Sequence, residues 1–522
     1  MKMLYAALIA ALVLAGGTGA ADQPSQKKVL LTSKDGALSI SGTLLGFDGE
    51  FYRIRTAHGN LTVDGEGVTC KGSGCPDREN FIARMTISGS RTMGDVLLPA
   101  LVEAFAVQEG MKLRRVVRSD RDFDYVLRRS GDGREVARLA FRLSNTEQGL
   151  SDLLAGKADM AMALREIRSE ENDVAKKTGL GDLSIARRAR VIGLDGLVLV
   201  VSPRNPVEGL SFETLAGIFA GRIANWQEVG GPDAPIAVHT RGPESGLTQG
   251  FQDKVMRGYG LVLSDKTIVH ESSEDLVDAV ARDPFAIGLA SYSEVGNAKV
   301  LSLTGECGFA IRPSILTLKS EDYPLATPLF LYMPRYRFPE VGRDFLRFLG
   351  SHTAQLVIRR AGFVDQQPLE ISIGSQGERL ANAITAAGKE TKLADLKELV
   401  AELKPARRLS VTFRFQAGST LLDAQSRANV VLLSHLLKAG QYHDKTIIFA
   451  GFTDGEGTAE TNRLVSERRA NAVHDAVLKM VDGIQEQQLK FRIKAFGETL
   501  PIACDTEAWG RRINRRVEVW LR

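Results

Sequence analysis

The chain has 522 residues, 44% of them hydrophobic and 25% charged, with a formal net charge of +4. That length exceeds one ordinary core and indicates roughly three or four domains. The composition is that of a globular protein. A charge this small, with no basic patch interleaved with aromatics, excludes nucleic acid as a partner.

In chain order, "MKMLYAALIAALVLAGGTGA" comes first, with Lys2, an apolar run from Met3 to Ala15 and small residues up to Ala21. The run is too short to cross a bilayer core of ~30 Å, so residues 1–21 are expected to be a signal peptide cut after Ala20 or Ala21. No cysteine follows the run, so no lipid anchor is expected there. The expectation is export to the periplasm, where disulfides form. The four cysteines are Cys70, Cys75, Cys307 and Cys504. In "CKGSGC" two glycines let the chain bend, so a local Cys70–Cys75 bridge is expected. Cys307 and Cys504 are left open between a bridge across domains and two free thiols. The seven histidines are scattered and none has ligand spacing with a cysteine, so no metal site and no cofactor is expected.

Residues 22–80 read as a small β-rich domain, a barrel or curled sheet: "KVLLTS", "LSISGTLLGF", "FYRIRTA" and "LTVDG" alternate and are punctuated by "DG" and "HGN" turns. From 81 to 374 strands alternate with helices. "ARMTISG", "ADMAMAL", "LVLVVS", "PIAVHT" and "FAIGLAS" are predicted strands, and a helix puts Leu97, Leu101 and Phe105 on one face. Such alternation predicts a parallel sheet. Residues 375–407 form a helical linker with Leu393, Leu396, Leu399 and Leu403 on one side, read as a spacer. Residues 408–522 read as a compact βαβ domain. The fold class is multidomain α/β.

Four stretches of the middle region share one chemistry. Ser90 and Thr92 precede one helix and Thr146 opens the next. Arg241, Ser245 and Gly246 precede a third, and Arg165 follows a strand. Helix N-termini present free N–H groups and positive potential, hydroxyls donate to an oxyanion, and arginine grips it with two parallel bonds. Each segment alone reads as an ordinary N-cap. Together, at strand ends, they read as an anion site.

In the late stretch "GFTDGEGTAETNRLVSERRA", Asp454 ends a strand and Arg469 lies on the following helix. Two readings stand side by side. One is a salt bridge pinning loop to helix. The other is a pocket in which the acid takes an ammonium and the arginine a carboxylate. Neither place carries a nucleophile–base–acid set, so no catalytic residue is assigned and the chain is read as a binder, not an enzyme.

Two resemblances sharpen this. "LAGIFAGRIANWQEVGGPDAPIAVHTRGPESG", "GKADMAMALREI" and "RDPFAIGLASY" resemble the periplasmic phosphate-binding proteins of ABC transporters, which implies a two-lobed fold closing about a hinge. Carried over, the hydroxyl roles fall on Ser90 or Thr92 and on Thr146, and Arg241, Ser245 and Gly246 match Arg-x-x-x-Ser-Gly. Two positions depart. Leu247 stands where a threonine is usual, and Leu164, followed by Arg165, stands where phosphate-specific members have the acid that accepts the proton of hydrogen phosphate. The second resemblance, over 408–522, is to the OmpA-like peptidoglycan-binding domain, on "GFTDGEGTAETNRLVSERRA", "GETLPIACD" and "GRRINRRVEVW". It implies that Asp454 and Arg469 hold the diaminopimelate of the stem peptide. Phe452 and Val465 replace a usual His and Leu, and Arg515 and Arg516 are read as structural or peripheral. The resemblances imply a receptor for phosphate or a similar small anion, tethered to peptidoglycan on the outer-membrane side of the periplasm, with an ABC transporter permease as a further possible partner. The alternative is a cell-wall-linked structural protein whose receptor domain has lost or changed its ligand. In either case the two sites are expected in separate, weakly coupled domains.

Overall fold

The computed structural model describes residues 28–243, 245–387, 390–416, 418–481 and 489–522. The expected signal peptide lies outside the described residues. By its internal contacts the chain divides into two units, one of residues 1–83 with 338–340 and one of 84–337 with 341–522.

In the first unit, five antiparallel strands form an open sheet in the order Gly59–Asp64, Phe51–Thr56, Ser39–Phe47, Lys28–Ser33, Val68–Lys71. The two end strands do not pair, so this is the curled sheet rather than the closed barrel. Alternation puts Val29, Leu31, Tyr52 and Ile54 inside. Cys70 and Cys75 are joined, with Cα atoms 5.8 Å apart.

The second unit is built on an eleven-stranded sheet. Its central strands are buried on both faces: every residue of Met160–Ala163 and of Ala286–Ser291 is buried, as apolar strands between helix layers must be. One long strand, Ala189–Val201, makes the sheet two-lobed. Its first part pairs with Ala326–Tyr332, from Ala189 opposite Tyr332 to Gly196 opposite Ala326. Its last part pairs with Ala286–Ser291, from Leu197 opposite Ser291 to Val201 opposite Ile287. The sheet is mixed rather than parallel. Met111–Val117, Asp122–Arg129 and Glu135–Ser144 form an antiparallel meander at one end, because short turns join them where a parallel pairing would need a crossover.

The C-terminal sheet has the order Glu370–Ser372, Arg407–Arg414, Arg516–Leu521, Thr446–Phe452, Lys490–Ala495. Helices Ala424–Lys438 and Ala459–Met480 cover one face through Val430, Leu433, Leu437, Val473 and Val477. The segment read as a spacer covers the other. Leu399 and Leu403 are buried with Ile448, Ala450, Phe452 and Trp520 in one cluster, while Leu393 is exposed. That face of the sheet is apolar and has to be covered, so the leucine stripe serves the fold and does not merely span a gap.

The expectation of weakly coupled domains also fails. Cys307 of the middle region is joined to Cys504 of the C-terminal domain, across 197 residues of sequence. Closing so long a loop is worth about 5 kcal/mol in the chain-entropy description. Ile502, Ala503, Trp509 and Ile513 belong to the same apolar cluster as the receptor's second lobe, and Trp509 lies 5.0 Å from Phe212, ring to ring. Arg408 grips Asp322 with two bonds of 2.8 and 3.1 Å. Both are buried, and Arg408 also faces Glu518 at 3.3 Å. Glu518 in turn holds Arg516 at 2.7 Å and Arg379, from the presumed spacer, at 2.5 Å. On the first lobe, Arg427 donates to Glu166 at 2.5 Å and to the Ser184 carbonyl at 3.1 Å.

Breaking a buried pair from one side strands the other charge. Asp322→Ala is expected to lower stability by about 3–5 kcal/mol in denaturant unfolding, and a matched apolar replacement of both Asp322 and Arg408 to restore most of it. Burial pushes the neighbouring Glu321 carboxyl up to about 8 from 4.5, with Asp423 adding to the effect. The folded state therefore holds a proton that the unfolded state gives up. Glu321's contribution is complete in acid and is lost as pH rises towards 8, by roughly 1 kcal/mol per pH unit. Glu321→Gln should flatten that part of a stability-against-pH series.

Candidate functional site

The receptor region carries a cleft of about 460 Å³ lined by Ser90, Thr92, Arg241, Ser245 and Gly246. Ser90 ends the strand Ala83–Ser90, and Thr92 stands just before the wide helical turn Met93–Leu97 with its hydroxyl unused as a cap. Arg241 ends the strand Ala237–Arg241. Ser245 precedes the helix Gly246–Lys254 and its hydroxyl makes no cap bond either. The first N–H groups of that helix have no partner within the helix, so the cleft wall is a helix N-terminus flanked by hydroxyls. A Cβ on Gly246 would lie 3.2 Å from Leu164 Cδ1, so glycine keeps the helix start close to that loop. Arg241 donates through Nη1 to the Ser273 hydroxyl at 2.8 Å and through Nη2 to the Glu271 carbonyl at 2.6 Å, while Nε has no partner among the described residues. Burial lowers the Arg241 pKa from its ordinary value, the cost of holding a cation partly out of water.

Two of the sequence-predicted residues are elsewhere. The buried Thr146 hydroxyl accepts the Leu164 N–H at 3.0 Å and braces that loop from within. Arg165 forms two bonds to Glu171, at 2.8 and 2.9 Å, and does not line the cleft. A carboxylate six residues along the chain supplies the closer partner. Thr248, next to the departure at Leu247, donates to the Arg241 carbonyl at 2.9 Å and so positions the arginine's strand end. Sequence reading missed Ser273, Glu271 and Glu294. Ser273 opens a helix just after the strand Ile268–His270, parallel neighbour of Ala237–Arg241, so the rule that ligands meet strand carboxyl ends could have found it.

In the C-terminal domain the strand Thr446–Phe452 runs into Asp454, and the helix Ala459–Met480 crosses directly over the strand. A Cβ on Gly451 would come within 2.2 Å of the Ser466 carbonyl oxygen, so only glycine allows this approach. Asp454 pairs with Arg515 at 2.5 Å, not with Arg469. The register that sets Phe452 opposite Arg516 brings Arg515 beside the acid, so it pairs with that acid at the edge of the candidate pocket. Arg516, fully buried against Glu518, keeps its structural role. Arg469 is 7% exposed, with Nε and Nη1 unpartnered among the described residues. Its burial, and next the nearby Arg515, lower its pKa. A buried guanidinium with two idle donors is costly unless an acceptor arrives.

Residues 62–353 match the family described as the PBP superfamily domain. The chain belongs to the PBP superfamily. Residues 414–515 match the OmpA family, so this superfamily member carries a C-terminal OmpA domain. Protein SphX of Synechococcus elongatus is 30% identical over 235 residues, which are 42% of this chain and 67% of the relative. The phosphate-binding protein PstS of Bacillus subtilis is 23% identical over 333 residues, 63% of this chain and 95% of that protein. Among solved structures, an ABC-type phosphate transport receptor from Vibrio cholerae is 24% identical with a TM-score of 0.41, covering 54% of this chain and 99% of that one.

If Gly451 is the contact that seats the helix carrying Arg469, then Gly451→Ala should misplace it. The expected result is a loss of stability of about 1–3 kcal/mol in denaturant titration, the usual cost of overpacking.

Proposed function

We propose that the chain is an exported receptor for phosphate or a closely related oxyanion, held non-covalently on peptidoglycan through its OmpA domain. The observation that carries the first half is the convergence of Arg241, the Gly246–Lys254 helix start, Ser90, Thr92 and Ser245 on one cleft. Three kinds of anion-binding group meet there, and one guanidinium nitrogen has no partner among the described residues. A relative named as a phosphate-binding protein supports the choice of anion.

The second half is supported by Arg469 and Asp454. A ligand carboxylate would satisfy the two idle nitrogens of Arg469. A ligand ammonium would compete with Arg515 for Asp454. Diaminopimelate carries both groups on one carbon. The ordinary lysine of other walls lacks the second carboxylate. A periplasmic location and a partner permease follow from this reading, and among the described residues no helix is long and apolar enough to cross a membrane.

Calorimetry with phosphate is the test of the receptor. Arg241→Ala should weaken binding at least tenfold, since a charge-assisted bond is worth roughly 1.5–3 kcal/mol. Equal affinity in the variant would misplace the cleft, and no anion affinity in the wild type would favour the structural alternative. Arg469→Ala should abolish co-sedimentation with purified sacculi, and binding should be weaker to walls with lysine peptides. Sedimentation unchanged from wild type would remove the anchor from the proposal.

A further inference from the structure

Two histidines stand beside the arginine of the cleft. Arg241 and His270 end neighbouring parallel strands, Ala237–Arg241 and Ile268–His270, and lie opposite each other in register. His239 is two residues before Arg241 and shares its face of the sheet. His270 lines the cleft, and His239 is buried. His239 Nδ1 and His270 Nε2 are 2.8 Å apart, the ring planes differ by 16° and the centroids are 5.0 Å apart. With the nitrogens so close and the centroids so far apart, the rings meet edge to edge in nearly one plane, the direction in which a ring nitrogen donates and accepts. The other nitrogen of His239, Nε2, is buried and has no partner among the described residues.

A neutral imidazole has one donor and one acceptor, so the single proton between the rings fixes both tautomers together. If His270 supplies that proton, His239 keeps its own on the buried Nε2, an N–H with no acceptor. If His239 supplies it, only a lone pair is left at that buried nitrogen, and His270 carries its proton on Nδ1. The second arrangement strands no N–H and puts a donor at the cleft. We propose that His270 is a further binding residue of the cleft, donating its Nδ1–H to the oxyanion, and that His239 is the positioning residue that holds it in this tautomer. This rests on the reading of the cleft as an oxyanion site.

A neutral donor has a use in this cleft. Arg91, Arg121 and Arg241 line it, but so do Asp95, Asp120, Glu271 and Glu294. Arg91 is engaged by Asp95 at 3.3 Å and Asp120 at 3.8 Å, and Arg241 by the Ser273 hydroxyl and the Glu271 carbonyl. An oxyanion there meets carboxylates that give it no hydrogen and cations already partly spent, so each further N–H counts. Burial lowers the pKa of both rings. The second ring adds to this at His239 and Asp283 opposes it, while at His270 Asp275 opposes and Arg241 adds. The pair is therefore neutral in mildly alkaline solution, and the contact needs no imidazolium.

The test is calorimetry of the full chain with inorganic phosphate at about pH 8, above the ordinary histidine range, beside nitrogen NMR of protein carrying isotopically labelled histidine. His270→Phe keeps a ring and removes both nitrogens, and phosphate should bind it at least tenfold more weakly. His270→Asn restores an amide N–H close to the place of Nδ1 and should stay within about threefold of the wild type. In the phosphate complex His270 should carry its proton on Nδ1. In a folded His239→Phe that single tautomer should give way to a mixture and affinity should fall, which a pair that merely fills space would not show. Wild-type affinity in a folded His270→Phe overturns the proposal, and so does a His270 proton found on Nε2 in the complex. If phosphate binding depends on Arg241 but not on His270, this inference falls alone. If the wild type binds no phosphate, it falls together with the receptor reading.

Discussion

Arg408 and Asp322 are buried against each other at the junction of two domains, and much of the second unit is arranged around that pair. Neither charge could stay in an apolar interior alone. Each requires the other, and Arg408 also requires Glu518, which in turn gathers Arg516 and Arg379. Four chain segments that are distant in sequence therefore meet at one place: the turn before the strand Ala326–Tyr332, the helix Gly377–Thr385, and two strands of the C-terminal sheet. The OmpA domain consequently shares a buried interior with the PBP superfamily domain. It touches the first lobe through Arg427 and the second through Trp509 and Cys504.

The two binding places share one physical device. Each holds an arginine partly or largely out of water at a strand–helix crossing, with a nitrogen left idle: Nε of Arg241, and Nε and Nη1 of Arg469. They differ in how the neighbouring acid is handled. Asp454 is paired with Arg515 at 2.5 Å, so it offsets the Arg469 charge only in part. Arg241 donates to the Ser273 hydroxyl and the Glu271 carbonyl, while Asp95, Asp120 and Glu294 also line the cleft, so the cleft keeps both signs.

Local chemistry was legible in the sequence and tertiary choice was not. Ser90, Thr92, Arg241, Ser245 and Gly246 could be grouped because each sits at a strand end or helix start, which is a short-range pattern. Thr146 and Arg165 obeyed the same pattern, yet the fold gave each another partner, the Leu164 N–H and Glu171. Arg515 was invisible because its nearness to Asp454 follows from strand register, which no local motif records. Glu294 sits on a three-residue turn capped by Ser291, too short to read as a helix start from the sequence. The leucine stripe of 393–403 was seen, but what it would cover depended on a sheet whose second face is apolar.

The bond between Cys307 and Cys504 also decides where mechanical load would travel. A pull on the C-terminal domain reaches the receptor's second lobe by two covalent routes. One is the main chain through residues 366–406, and the other is the disulfide. The second is far shorter in chain length and shunts force past the strand Ala326–Tyr332 and the helices after it. With the bond intact, tension from a wall would enter the second lobe near Cys307, on the side of the three-stranded sheet that includes Ser302–Thr304 and Ala310–Ile311. The crossing strand Ala189–Val201, about which the lobes are joined, would lie outside that path. A protein fixed at one end to a stiff network could thus be tugged without its cleft being prised apart.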